Sequence, residues 1–248
     1  MSEKKDIVRI ENLRKSFNGK EVLRGINVNI IEGDITVIMG RSGCGKTVLI
    51  KHIIGLMKPD DGRIFFKDID ISSLEGDEVR DILKNFGVLF QNSALFDSMT
   101  VGENVSFPLV ERAKISQKEI EERVEKALEM VGLYDVKKKL PLELSGGMKK
   151  RAALARAIVY EPEIIIFDEP TSGIDPVTAT SIEDLILELQ EKLGKTFIVI
   201  THDIKSALRL ADEIVVMESG RIEWKGKAEE ITRADSNEVK MFLDRLRI

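Results

Sequence analysis

Ile35-Thr36-Val37-Ile38-Met39-Gly40-Arg41-Ser42-Gly43-Cys44-Gly45-Lys46-Thr47-Val48-Leu49-Ile50 is the stretch that decides the fold. Gly40 to Thr47 fits the phosphate-binding pattern G-x-x-x-x-G-K-[ST] at every fixed position. The apolar run 35–39 reads as a buried strand, and Val48 to Met57 reads as an apolar helix. Strand, glycine loop and helix form the unit that phosphate chemistry needs. Glycines let the backbone turn its N–H groups around a phosphate, and the helix adds the positive end of its dipole. Lys46 would reach the β- and γ-phosphates, and the Thr47 hydroxyl would ligate Mg²⁺. Cys44 lies inside this loop, where a neighbouring lysine and a helix N-terminus favour a thiolate.

The 248 residues suit one large domain, and 43% hydrophobic content fills a sizeable core. A net charge of −5 does not point to nucleic acid as a partner. One cysteine excludes an intrachain disulfide. The start, Met1 to Ile10, is charged and shows no signal-peptide core. No apolar run approaches the ~18 residues of a membrane span.

Working outward, Asp6 to Leu13 and Ile26 to Ile30 read as strands around a turn at Phe17 to Lys20. Phe17 is either a hydrophobic staple or an exposed ring for stacking on a base. Arg63 to Phe66 and Gly87 to Phe90 read as strands, and Ser72 to Asn85 as a helix. The second of these strands ends at Gln91, where a polar side chain meets either a ligand crevice or solvent. Asn92 to Leu109 reads as a long loop carrying Leu95, Phe96, Met99, Val101 and Phe107, which form either an exposed docking surface or a satellite core under the loop.

Ser116 to Val131 is an amphipathic helix, with Ile120, Val124 and Leu128 on one stripe. Ser145 is a good N-cap for the helix that follows. The glycines Gly146 and Gly147 make its mouth either a second phosphate-friendly terminus or an ordinary capped start. Ile164 to Phe167 is a fully apolar strand ending in Asp168 and Glu169. Carboxylates there are costly to desolvate without a metal or partner. With the phosphate loop upstream, Asp168 suits Mg²⁺ through water and Glu169 suits a general base. Thr178 to Leu193 is a helix, Thr196 to Ile200 a buried strand ending at His202, and Glu213 to Met217 a last strand. His52 reads as structural. Asn237 to Leu246 reads as a terminal amphipathic helix.

In this order the motifs resemble those of the ATP-binding subunit of ABC transporters, across nearly the whole chain. Gly40 to Thr47 resembles the Walker A motif, Gln91 the Q-loop, Leu144 to Gly147 the signature, and Ile164 to Glu169 Walker B. Ser172 to Asp175 resembles the D-loop, His202 the switch histidine, and Phe17 the adenine-stacking aromatic. The resemblance implies an α/β P-loop NTPase with a mainly parallel core sheet, an antiparallel β subdomain and an inserted α-helical subdomain. It implies one ATPase domain over 7–243: core 7–91 and 160–232, helical subdomain 92–159, and a C-terminal helix at 233–248.

It further implies Glu169, His202 and Gln91 as catalytic. Nucleotide contacts would come from Phe17, Gly40, Arg41, Ser42, Gly43, Cys44, Gly45, Lys46, Thr47, Ser145, Gly146, Gly147 and Asp175, and Mg²⁺ ligands from Thr47, Gln91 and Asp168. Two copies would meet head to tail over ATP, and an integral membrane permease would dock on the Q-loop side, at the cytoplasmic face of the inner membrane. The words at 90–96, 103–109 and 148–157, with Met241 to Asp244, look like the Mla/Mce-type phospholipid transporters. That implies an MCE-type lipid-binding partner. A longer C-terminal extension carried by some members is not seen. Another ABC importer or exporter, for example for amino acids, and a soluble non-transport ABC ATPase are the alternatives.

Overall fold

The computed structural model describes residues 5–112, 114–234 and 237–244. In chain order the strands and helices are β1 (Asp6–Phe17), β2 (Lys20–Ile31), β3 (Ile35–Gly40), α1 (Lys46–Ile53), β4 (Asp61–Phe66), β5 (Ile69–Asp70), α2 (Asp77–Leu83) and β6 (Phe86–Leu89). There follow α3 (Val101–Arg112), α4 (Gln117–Met130), α5 (Gly146–Ile158), β7 (Ile164–Asp168), α6 (Pro176–Leu193), β8 (Thr196–Thr201), α7 (Ile204–Leu210), β9 (Glu213–Glu218), β10 (Arg221–Lys227) and α8 (Asn237–Asp244). The chain forms two compact units: residues through Leu83 with those from Thr196 on, and Lys84–Lys195.

The first unit carries two sheets. One is antiparallel in the order β2-β1-β4-β5. Its β1–β2 hairpin is longer than the expected strands, because Asn18 and Gly19 take φ of 51° and 78°. Two left-handed residues at a two-residue loop match the twist of paired strands, so pairing runs out to Phe17 and Lys20. In the other sheet β3 pairs in parallel with β8 on one side and β9 on the other, and β10 turns back antiparallel on β9. All six residues of β3 and of β8 are buried. A strand covered on both faces has no wet side, hence the continuous apolar run. Helix α1 stops at Ile53, short of the expected Met57, where Gly55 takes a positive φ of 65°.

The second unit pairs β6 with β7 in parallel and packs α5 against β6, α3, α4 and α6. Here the expectation of a loop from 92 to 109 is corrected. Val101 to Arg112 is helix α3, and Val101, Val105 and Leu109 are fully buried on one face. Gly102 and Pro108 hide the helix in a propensity reading. Thr100 and Glu103 nonetheless form a capping box: Thr100 N–H donates to Glu103 Oε2 at 2.7 Å, and Glu103 N–H donates to Thr100 Oγ1 at 3.2 Å. Asn104, also buried, staples the segment before the helix. It accepts from the Phe96 N–H and donates to the carbonyls of Phe96, Met99 and Thr100.

Helix α4 starts at its Ser116 cap and buries Ile120, Val124 and Leu128 as the stripe requires. Helix α2 is shorter than expected, with none of its residues fully buried. The terminal helix expected over 237–246 is seen as α8. Residues 235, 236 and 245–248 of the expected C-terminal helix, and 1–4 at the start, lie outside the described residues. Among the described residues no helix is long and apolar enough to cross a membrane.

Candidate functional site

The first unit supplies the phosphate loop. Buried β3 delivers the chain to Gly40, and α1 begins six residues later. Gly45 caps that helix with φ 111° and no side-chain cap bond. Only glycine adopts this φ without strain. The first N–H groups of α1 therefore keep no side-chain acceptor, and they suit an anion. Arg41, Ser42, Gly43 and Thr47 are exposed, while Cys44, Gly45 and Lys46 are buried. The Lys46 ammonium donates to the carbonyls of Gly40 at 2.7 Å and Arg41 at 3.0 Å. Its third contact is with the Cys44 Sγ at 4.0 Å, so the ammonium is held against the loop.

The Cys44 expectation is corrected. Its side chain is 5% exposed. Burial pushes the thiol above its ordinary range, and the Lys46 charge only partly opposes this. Cys44 is a packed thiol whose carbonyl accepts from the Gly220 N–H at 3.0 Å.

Phe17, at the end of β1, is 41% exposed. Its backbone is pinned next door: Ser16 N–H and Lys15 Nζ both donate to Asp60, at 2.6 Å each. Lys15 Nζ also stands 5.8 Å from the Phe17 ring centre. His202 is exposed just beyond β8, beside Asp203, which N-caps α7. His52 is buried, with Nδ1 2.7 Å from the Val48 carbonyl.

The second unit, taken by itself, carries a further set of polar groups. Gln91 is exposed beyond β6, and Asp168 and Glu169 are half-buried at the end of β7. Glu169 takes a left-handed φ of 50°. Such a conformation is uphill for a side-chain-bearing residue and persists only where neighbours hold it. Ser145 caps α5, its hydroxyl accepting from Met148 N–H at 3.3 Å. Asp175 caps α6, accepting from the N–H groups of Val177 and Thr178 and from the Thr178 hydroxyl. That hydroxyl and the two amides hold its carboxyl below the usual range.

Sequence reasoning missed the cations of α5. Lys150 is 5% exposed, and its ammonium donates to the Gln91 carbonyl and reaches the Glu169 carbonyl at 3.5 Å. Burial pushes its pKa down, while the charges of Asp168 and Glu169 pull against this. Arg156 donates to the carbonyls of Ser93 at 2.9 Å and Ala94 at 2.6 Å. A lysine and an arginine on an alanine-rich helix carry no sequence signal of burial.

The loop geometry fits a nucleotide's phosphates. No group of three or more His, Cys, Asp or Glu side chains forms a metal cage among the described residues. The Thr47 hydroxyl, exposed on the loop, and the half-buried Asp168 carboxylate are hard oxygen donors of the kind Mg²⁺ takes.

The comparisons with known proteins agree on one family. Residues 23–172 match the family described as ABC transporter. The chain is 37% identical over 252 residues to Protein TRIGALACTOSYLDIACYLGLYCEROL 3, chloroplastic, of Arabidopsis thaliana, covering 95% of this chain and 73% of that one. It is also 37% identical over 241 residues to "Probable ribonucleotide transport ATP-binding protein mkl" of Mycobacterium leprae, covering 97% and 70%. Among solved structures it resembles the dimeric ATP-binding cassette MJ0796 bound to ADP and Pi in a post-hydrolysis state. The TM-score is 0.81 at 34% identity, over 89% of this chain and 98% of that one.

Proposed function

This chain belongs to the ABC transporter family, and from that premise we propose that it is the ATP-hydrolysing subunit of a membrane transporter for phospholipid or a related lipid, of Mla/Mce type. The observation that carries the ATPase part is the uncapped helix start at Gly45 above the buried Lys46. In this reading the loop N–H groups and Lys46 bind the β- and γ-phosphates, and Phe17 stacks on the adenine. Mg²⁺, when bound, neutralises charge on the phosphates; Thr47, Gln91 and Asp168 would hold it. Glu169 takes a proton from the attacking water, and His202 donates to the γ-phosphate.

Two copies meet head to tail. The α5 mouth of one, at Ser145, Gly146 and Gly147, presents its N–H groups to nucleotide on the other's loop, with Asp175 beside it. The dimeric state of MJ0796 supports pairing of two copies. ATP then joins the copies and hydrolysis releases them.

The permease contact falls on the segment before α3. Phe96 is 43% exposed and lies 5.0 Å from Phe107, ring centre to ring centre. Val101, expected in that surface, is core instead. The cargo reading rests on the relative named for a galactosylated diacylglycerol. A second reading, the ATPase of a different transporter, is favoured by the relative named for ribonucleotide transport.

The test is co-purification of wild type and Phe96→Asp with the permease from membranes, then mass spectrometry of bound lipid. We expect wild type to bring down a multispan partner with bound phospholipid, and Phe96→Asp to lose that partner while binding ATP normally. A burden of desolvating the new carboxylate is the reason. Full retention by the variant would reject the docking surface, and a lipid-free complex without lipid-stimulated ATPase would reject the cargo.

A further inference from the structure

Helix α5 grips the chain beyond β6 at three carbonyls. Lys150 takes Gln91, and Arg156, about 9 Å further along the axis, takes Ser93 and Ala94. Ser93 and Ala94 both have positive φ, 63° and 47°, so this segment is held in a shape that it would not adopt alone. Lys150 does more than hold one loop. The same ammonium reaches the carbonyl of Glu169, itself at φ 50°. A buried ammonium is costly to desolvate unless it is hydrogen-bonded and balanced by opposite charge. The two carbonyls, with the charges of Asp168 and Glu169 nearby, meet that need.

We propose that Lys150 is a positioning residue of hydrolysis: its buried ammonium ties the backbone of Gln91 to the backbone of Glu169, so both polar side chains are set from one point on α5. The proposal deepens the ATPase reading above and rests on it. Lys150 touches neither nucleotide nor water in this role. It fixes the main chain from which Glu169 projects, and it lies one turn beyond the Ser145-Gly146-Gly147 mouth. Movement of that mouth therefore moves both carbonyl contacts together. Misplacing a general base by about 1 Å lowers turnover on the order of 100-fold, while phosphate binding at Lys46 is untouched.

The experiment is steady-state ATPase kinetics on the full chain, with nucleotide binding and thermal melting, for wild type, Lys150→Met and Lys150→Gln. Methionine keeps the length and removes every N–H donor; glutamine keeps an NH₂ that can serve one carbonyl. We expect Lys150→Met to lower kcat roughly 10–100-fold with KM for ATP within about twofold. Lys150→Gln should recover part of that loss. A purely structural lysine would lower the melting temperature and leave kcat of the folded protein unchanged. Wild-type kcat in Lys150→Met, a matching loss of ATP affinity, or no recovery in Lys150→Gln overturns the proposal. If the methionine variant does not fold, Lys150→Gln carries the test: kcat must fall below wild type with KM kept. A wild-type protein that binds no ATP rejects the ATPase reading itself, a result distinct from all of these.

Discussion

Gly147 and Thr178 stand so close that a Cβ on Gly147 would lie 2.7 Å from the Thr178 Cγ2. Thr178 has little room to turn away, because its hydroxyl donates to Asp175 Oδ2 at 2.6 Å and its χ1 is stiff. Gly147→Ala would gain about 1 kcal/mol of helix propensity against about 1–3 kcal/mol of overpacking. We expect net destabilisation at neutral pH, read by urea unfolding. It should also raise the Asp175 pKa, which the Thr178 hydroxyl holds low. A depressed carboxyl contributes stability above its unfolded pKa and loses it as pH falls through its folded one. The gap between wild type and variant should therefore narrow below about pH 4. An unchanged Asp175 titration by NMR would contradict the linkage.

Lys46→Ala should weaken ATP binding by at least about 10-fold, since a hydrogen bond to a charged group is worth roughly 1.5–3 kcal/mol. The Gly40 and Arg41 carbonyls also lose their donor, so melting is measured beside the titration with fluorescent nucleotide. Wild-type affinity in folded variant would remove Lys46 from the phosphate site.

Glu169→Gln should bind ATP normally and hydrolyse it about 10²–10⁴-fold more slowly, as loss of a general base does. With hydrolysis blocked, ATP should hold two copies together, giving a dimer in light scattering that wild type shows only transiently. Near-normal turnover would place the base elsewhere.

His52 predicts an acid-sensitive stability. Burial pushes its pKa below the ordinary value of 6.5, with Lys15 adding to the shift and Asp60 and the Val48 and Lys58 carbonyls opposing it. The unfolded chain then takes up the proton first as pH falls. Stability from this site is complete above about pH 6.5 and declines below it, toward the folded pKa. Urea midpoints at pH 7.5 and 5.5 should differ less in His52→Phe than in wild type. Equal slopes would assign the acid sensitivity to other groups.

The strand, loop and helix around Gly40 were legible because a run buried on both faces and a glycine pattern are local signals. The carboxylates after β7 were legible for the same reason: charge abruptly ends an apolar run. Helix α3 was hidden because Gly102 and Pro108 weigh against a helix, although Thr100 and Glu103 announced its start. Lys150 was illegible. Its burial depends on α5 packing against β6, and its partners are carbonyls, which every residue has. The Cys44 thiolate was misjudged because the sequence displays Lys46 but not the packing that desolvates the sulfur.

The packing of Cys44 has a practical consequence. It is the chain's one thiol, buried and held protonated, so the wild-type sequence is close to a silent background for maleimide chemistry. Cysteines introduced at exposed Lys67 in the first unit and Glu122 in the second would take up a fluorophore pair or spin labels with little competition. The spacing of the two labels could then be followed through a catalytic cycle without first removing a native residue from the phosphate loop.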